Sequence, residues 1–206
     1  DLSEILGKAE KIHADDLRVS EKIKEIDDYT STTEVPSDKL VQMARLGIVL
    51  DEFVAKNQLD CTAIQCWTSV QSNHGCNVCT SMSMMSENFM PSACEVDVTG
   101  VLTMYAMQLA SGSPSALVDW NNNYGAEDDK CVLFHCGNWA KSFTPDMKIS
   151  TAPILGTIAG EENTWGALDG RTPANPLTYA RITTDDTSGI IRAYVGEGQL
   201  TDDELK

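Results

Sequence analysis

The chain has 206 residues, 42% of them hydrophobic, which is enough for one large or two small domains with a buried core. Its net charge of −16 argues against nucleic acid or an anionic membrane as a partner. The sequence lacks both an apolar run of membrane-spanning length and a signal-peptide pattern at residues 1–16, so we expect a cytoplasmic protein with no membrane partner.

The first 60 residues are predicted to be helical. Leu2–His13 and Val19–Tyr29 are short, charged, amphipathic segments, followed by a polar linker at residues 30–36. Pro36 and Ser37 then form a typical helix start, with Ser37 as the candidate N-cap. A broad apolar face predicts that this third helix continues to about Asn57.

From Cys61 onward, apolar strand-like segments alternate with helical ones. The pattern predicts strands at 61–67, 93–98 and 116–120, with helices at 81–88 and 101–109 between them. A strand–helix–strand alternation of this kind favours a doubly wound, mostly parallel sheet with flanking helices. The fold class is therefore predicted to be α/β.

After about residue 128 the pattern becomes mainly β. Strands are predicted at 131–135, 178–182 and 190–195, and the turn residues at 185–189 predict a hairpin between the last two. Because a complete β domain rarely has so few strands, we expect a partial β domain whose partner strands are missing, and hence a fragment. The predicted parts are an N-terminal helical segment and linker at 1–35, an α/β domain at 36–127 and a partial mainly β C-terminal domain at 128–206.

The stretch Pro91–Gly100 contains the principal candidate residues. Glu95 and Asp97 lie two positions apart in a predicted strand, so both side chains are expected on one face, at the end where α/β sheets bind ligands. Such carboxylates can bind a hard divalent metal or act as general bases. The alternative is structural: Asp97 caps the following helix, and Glu95 is a paired or solvated acid.

The seven cysteines have two interpretations. Several lie in apolar segments, which indicates reduced, buried thiols rather than a disulfide framework. Cys76 and Cys79 form a C-x-x-C motif near His74, and His135-Cys136 could supply a second half of a zinc site, or the motif could be redox-active. The spacing of the second pair fits no usual zinc pattern, so structural thiols are the preferred interpretation.

Aromatic and amide side chains indicate a possible sugar surface. Trp67 ends the first predicted strand, and Trp120, Asn121, Asn122 and Tyr124 follow the third. Amides can bind hydroxyls and aromatic rings can stack on a sugar, although Asn-rich segments also form ordinary turns. No dinucleotide, P-loop or G-x-S-x-G motif is present, so neither a dinucleotide enzyme nor a serine hydrolase is supported.

Taken together, five segments resemble the L-fucose isomerase family. They are AIQCWTS (63–69), PSACEVDVTGVLTMYAMQLASGSP (91–114), ALVDWNNNYG (116–125), LFHCGNWAKSF (133–143) and TYARITTDDTSGIIRAYVGEG (178–198). The resemblance implies an aldose–ketose isomerase, an intramolecular oxidoreductase that holds Mn²⁺ with two acids and a histidine and works through an enediol. It also implies a homo-oligomer at full length and a fold of two α/β domains followed by a β-barrel-like domain, with this chain forming part of the second domain and the start of the third, barrel-like one.

The resemblance assigns Asp97 to the second metal acid of the family, with Glu95 as second choice, so these two are the predicted catalytic and metal residues. The first metal acid of the family falls within residues 67–86, where no acid stands. The ligand histidine lies beyond this chain, and His135 is predicted only to line the sugar pocket. We therefore expect a fragment that is inactive alone. The alternative is a non-catalytic carbohydrate-binding or regulatory module derived from the isomerase fold.

Overall fold

Three helices form the N-terminal part of the computed structural model, which describes residues 1–205. They are α1 (Leu2–Ala9), α2 (Leu17–Tyr29) and α3 (Ser37–Asn57), close to their predicted positions. Asp1 and Asp16 cap α1 and α2 by accepting hydrogen bonds from backbone N–H groups two residues later. The predicted Ser37 cap is wrong, because Pro36 occupies the N-cap position of α3 and no side chain bonds to the helix end.

The central part combines short strands with helices. It contains β1 (Thr62–Ala63), α4 (Ser69–His74), α5 (Cys79–Glu87), β2 (Ser92–Ala93) and α6 (Val98–Ser111). Strands β1 and β2 are parallel, with Thr62 opposite Ser92 and Ala63 opposite Ala93. A mixed α/β fold is therefore confirmed.

The predicted doubly wound sheet is not confirmed. The sheet containing β1 has two strands within residues 1–205, and the segment expected to add a third forms a hairpin instead. That hairpin consists of β3 (Asp119–Tyr124) and β4 (Glu127–Phe134), which pair antiparallel. Alternation along the sequence identified strand and helix, but not the partner of each strand. Residues 121–124, for which an ordinary Asn-rich turn was the alternative prediction, belong to strand β3.

The C-terminal part is mainly β, without a closed barrel in the described residues. Strands β5 (Lys148–Ser150) and β6 (Ala167–Asp169) pair antiparallel around a short helix, α7 (Pro153–Ala159), and a 3₁₀ turn at Glu161–Asn163. The long strands β7 (Asn175–Asp185) and β8 (Ile190–Leu200) pair along their whole length. The hairpin predicted around residues 185–189 is thus confirmed.

One main hydrophobic core joins the helices to the C-terminal part. Ile26, Leu46 and Met82 are among its largest fully buried side chains, and Ile149 and Leu168 extend it into β5 and β6. A second, smaller cluster forms where Ala93 packs against α6. No helix within residues 1–205 is long and apolar enough to cross a membrane.

Candidate functional site

An open cleft of about 640 Å³ lies where β1 and β2 end. The carboxyl ends of parallel strands are where α/β proteins build ligand sites. The lining is mostly polar and comprises Gln65, Trp67, Thr68, Ser69, Ser72, Asn73, Glu95 and Val96. The cleft therefore combines amide, hydroxyl, carboxylate and indole groups within one concave surface.

Trp67 and Glu95 come together in this cleft. The Trp67 Nε1 donates a hydrogen bond of 3.0 Å to Glu95 Oε1, and the Trp67 side chain remains 40% exposed. Both residues were predicted from sequence as site residues. They lie in the segments that follow the two adjacent strands β1 and β2, and the partly exposed indole of Trp67 is available for stacking against a ligand.

Gln71 supports the floor of the cleft from within α4. Its buried Nε2 donates to the Cys66 carbonyl at 2.7 Å and to Asn77 Oδ1 at 2.8 Å. These bonds hold the chain at Cys66, directly before Trp67. At the cleft surface, Asn73 Nδ2 donates to the Ser69 carbonyl at 2.8 Å. The polar groups of the cleft thus sit on a backbone that buried hydrogen bonds hold in place.

The segment after β2 is a turn with an unusual backbone, rather than the predicted strand. Glu95 and Val96 both have positive φ, 59° and 57°. Residues other than glycine rarely adopt this region, and β-branched residues such as valine adopt it least. The turn is held by hydrogen bonds from the Val96 N–H to the Ile64 carbonyl and from the Asp97 N–H to the Cys94 carbonyl. Because of this turn, the predicted common strand face of Glu95 and Asp97 is wrong.

Asp97 is the N-cap of α6, as the structural interpretation expected. Its Oδ1 accepts from the Gly100 N–H at 2.8 Å, and the carboxylate also pairs with Arg181 of β7. Burial raises the pKa of Asp97, but the hydrogen bonds from Arg181 and Gly100 outweigh it and hold the pKa below its usual value. Sequence analysis missed Arg181, since 84 positions separate it from Asp97.

The other predicted sugar-binding residues do not line the cleft. Trp120, Asn121, Asn122 and Tyr124 lie on β3, where Trp120 packs edge-to-face on Tyr179. Tyr124 donates its hydroxyl to the Glu204 carbonyl at 2.7 Å. These side chains therefore lie on the β3–β4 hairpin, away from the cleft that contains Trp67.

His135 is half-buried just after β4. Burial lowers the pKa of its imidazole, which the charges of Asp119 and Glu95 partly offset. Its Nδ1 is buried without a hydrogen-bond partner among residues 1–205. His135 is thus near the carboxylate of the cleft, although it is not one of the residues that line it.

All seven cysteines are free thiols. Burial raises the pKa of Cys76 to about 12, which disfavours its thiolate, and His74 Nε2 bonds to the Gln42 carbonyl at 2.9 Å. Among residues 1–205, no three His, Cys, Asp or Glu side chains converge in a geometry suited to a metal ion. The C-x-x-C motif therefore has the features of structural thiols.

The sequence of the chain is similar to that of known sugar isomerases. Residues 133–206 match the model of the L-fucose isomerase C-terminal domain. The chain is 28% identical over 136 residues to the sulfoquinovose isomerase of Alkalicoccus urumqiensis, which covers 60% of this chain and 31% of that protein.

Two further relatives agree. The sulfoquinovose isomerase of Clostridium sp. (strain MSTE9) is 28% identical over 146 residues, covering 66% of this chain and 32% of that protein. That of Priestia aryabhattai is 26% identical over 136 residues, covering 60% and 30%. The chain spans about a third of the length of these curated relatives. The predicted resemblance to the L-fucose isomerase family is confirmed by the match of residues 133–206 and by the similarity to these sulfoquinovose isomerases.

Proposed function

We propose that the chain is the sugar-binding central part of an aldose–ketose isomerase. The Trp67–Glu95 pair carries this proposal, since it puts an exposed aromatic face and a carboxylate side by side in a polar cleft. The similarity to the L-fucose isomerase family suggests the reaction class, and the sulfoquinovose isomerases among the relatives make a hexose-type sugar the proposed substrate.

Glu95 is the proposed proton carrier. An aldose becomes an enediol when a base removes the proton from C2 and O1 gains a proton from water; the enediol becomes a ketose when C1 receives a proton from that base and O2 loses its proton to water. A carboxylate in reach of an open-chain sugar can perform both transfers at carbon. The Trp67 N–H bond to Oε1 holds the Glu95 carboxylate at the cleft surface, and Oε2 is the proposed proton-transferring atom. Ser69, Ser72 and Asn73 are proposed to bind the sugar hydroxyls.

The described residues do not fit Mn²⁺. A metal site of the family type needs two acids and a histidine, and residues 1–205 bring no such three groups together. Asp97 is engaged by Arg181, Thr99 and Gly100, while Glu95 bonds to Trp67. We therefore derive no catalytic step through the metal. A complete Mn²⁺ site, like a homo-oligomer and the remaining strands of a doubly wound sheet, is proposed only for a longer polypeptide.

The second candidate function is a non-catalytic carbohydrate-binding module. The engagement of Asp97 by Arg181 favours it, because a carboxylate held in an ion pair is not available as a metal ligand. Both functions predict that the chain binds a sugar at the Trp67 cleft. They differ in whether a longer polypeptide interconverts an aldose and its ketose.

Binding is tested by saturation-transfer NMR on this chain with L-fucose and sulfoquinovose. We expect transfer from the protein to at least one sugar and its loss in Trp67→Ala. Trp120→Ala is the matched control, since Trp120 is 64% exposed on the β3–β4 hairpin and does not line the cleft. Equal loss in both variants, or no transfer to any aldose or ketose of a broad panel, would contradict the proposed site.

A further inference from the structure

Both carboxylate oxygens of Asp97 bond to one guanidinium. Arg181 Nη1 donates to Oδ2 at 2.5 Å, and Nη2 donates to Oδ1 at 3.1 Å. Oδ1 also accepts from the Thr99 hydroxyl at 3.1 Å and from the Gly100 N–H at 2.8 Å. This is the paired geometry in which Arg–carboxylate bonds are strongest and most directional.

Residues around the Asp97–Arg181 pair provide further hydrogen bonds and space for the carboxylate. Arg181 Nη2 also donates to Thr99 Oγ1 at 3.1 Å, so one guanidinium contacts two residues of the α6 start. A Cβ on Gly100 would lie 2.3 Å from Asp97 Oδ2, so the absence of a side chain there makes room for the carboxylate. One turn further along, the Ile182 N–H donates to Thr103 Oγ1 at 2.9 Å and continues the contact between α6 and β7.

The Asp97–Arg181 pair is also partly sheltered from water. The two side chains are 24% and 33% exposed, whereas the Arg192–Asp185 pair of the same hairpin has an arginine that is 63% exposed. Exposed pairs contribute little, while a sheltered, bidentate pair is screened less by salt. The Asp97–Arg181 pair is therefore the more sheltered of the two, and it joins the hairpin to the start of α6, whereas Arg192–Asp185 lies within the hairpin.

We propose that in this chain the Arg181 guanidinium is the cation of Asp97, in place of a divalent metal, and that the pair is a latch that docks the β7–β8 hairpin on α6. A metal ion on Asp97 would have to displace the two hydrogen bonds from Arg181 and would lie close to the positive charge of its guanidinium, which would repel it. The proposal concerns Asp97 and the hairpin alone, and does not depend on the proposed activity at Trp67 and Glu95.

The first arm of the test measures Mn²⁺. Wild-type chain, Asp97→Asn and Arg192→Met are titrated with Mn²⁺ at about 150 mM salt, and the free ion is followed by its EPR signal, so that weak binding by exposed acids is common to all three. We expect the same bound Mn²⁺ in all three. One equivalent held by the wild-type chain and lost in Asp97→Asn would overturn the proposal.

The second arm measures the latch by hydrogen exchange of the Ile182 amide. We expect exchange about tenfold faster or more in Arg181→Met and in Asp97→Asn, because undocking exposes this N–H, and no change in Arg192→Met. Arg181→Lys keeps the charge but not the paired geometry, and should fall between. If Arg181→Met does not fold, Arg181→Lys is compared with the wild-type chain instead. Wild-type exchange in both Arg181→Lys and Asp97→Asn, or equal acceleration in Arg192→Met, would overturn the latch.

Discussion

Replacing Tyr29 by phenylalanine should weaken the link between the N-terminal helices and the C-terminal part. The Tyr29 hydroxyl contacts Ser83 Oγ at 2.7 Å and accepts from the Lys141 N–H at 2.9 Å. Phenylalanine deletes both bonds and leaves the half-buried Lys141 N–H without this acceptor, while Ser83 keeps its bond to the Trp139 carbonyl. The loss of the hydrogen bond to Ser83, together with a Lys141 N–H left without its acceptor, should lower the free energy of unfolding by about 2–3 kcal/mol.

Urea unfolding followed by tryptophan fluorescence measures this loss. With a slope of roughly 2–3 kcal/mol/M, Tyr29→Phe should lower the midpoint by about 1 M. Tyr194→Phe is the matched control, because that ring is 53% exposed on β8, and it should shift stability by less than about 0.5 kcal/mol. A midpoint for Tyr29→Phe within that same range would refute the reasoning.

The same residue predicts a dependence on alkaline pH. Burial raises the pKa of Tyr29 to about 12, above the value of about 10 in an unfolded chain. The group therefore contributes stability that is complete below pH 10 and is lost as pH rises towards 12. Wild-type protein should lose stability more steeply than Tyr29→Phe across this interval, and parallel curves would contradict the assignment.

The structure supports three further predictions, at Gly137 with Gly125 as its control, at Leu46 and at Asp97. Gly137→Ala should lower the free energy of unfolding in urea by more than about 3 kcal/mol, because φ is +81° and a Cβ would lie 2.0 Å from the Leu168 carbonyl oxygen. Gly125→Ala is the control: no atom lies within 4 Å of the added Cβ, and the loss should be about 1 kcal/mol. Leu46→Ala, 1% exposed in α3, should cost about 2–5 kcal/mol; a loss below 1 kcal/mol would show that the core is loosely packed there. Asp97→Asn should flatten the acid limb of the stability curve, since the lowered pKa of Asp97 contributes stability above about pH 4 that is lost on acidification; an unchanged limb would argue against the Arg181 pair.

Local patterns predicted the local structure well. The apolar face of α3, the helix after Asp97 and the β7–β8 hairpin all follow from periodicity and turn residues that lie close together in the chain. The parallel sheet could not be predicted in the same way. Whether Asp119–Tyr124 adds to β1 or folds back on β4 depends on contacts between distant segments, which alternation does not encode.

The candidate site was predicted in part for the same reason. Trp67 and Glu95 follow the strands that do pair, so their meeting in one cleft follows from the strand ends. The turn at Glu95 and Val96 was not predictable, because neither residue type favours positive φ and tertiary hydrogen bonds hold it. Arg181 carries no signal at all, since an arginine in a strand is ordinary until the fold brings it to Asp97.

The most direct test of the proposed isomerase is deuterium incorporation during turnover. The longest polypeptide that the gene encodes is incubated in D₂O with the aldose that binds best, and the product is examined by NMR. We predict a ketose that carries deuterium at C1, and loss of both turnover and exchange in Glu95→Gln with sugar binding retained. Binding without any ketose or exchange would contradict the isomerase and leave the carbohydrate-binding module as the function.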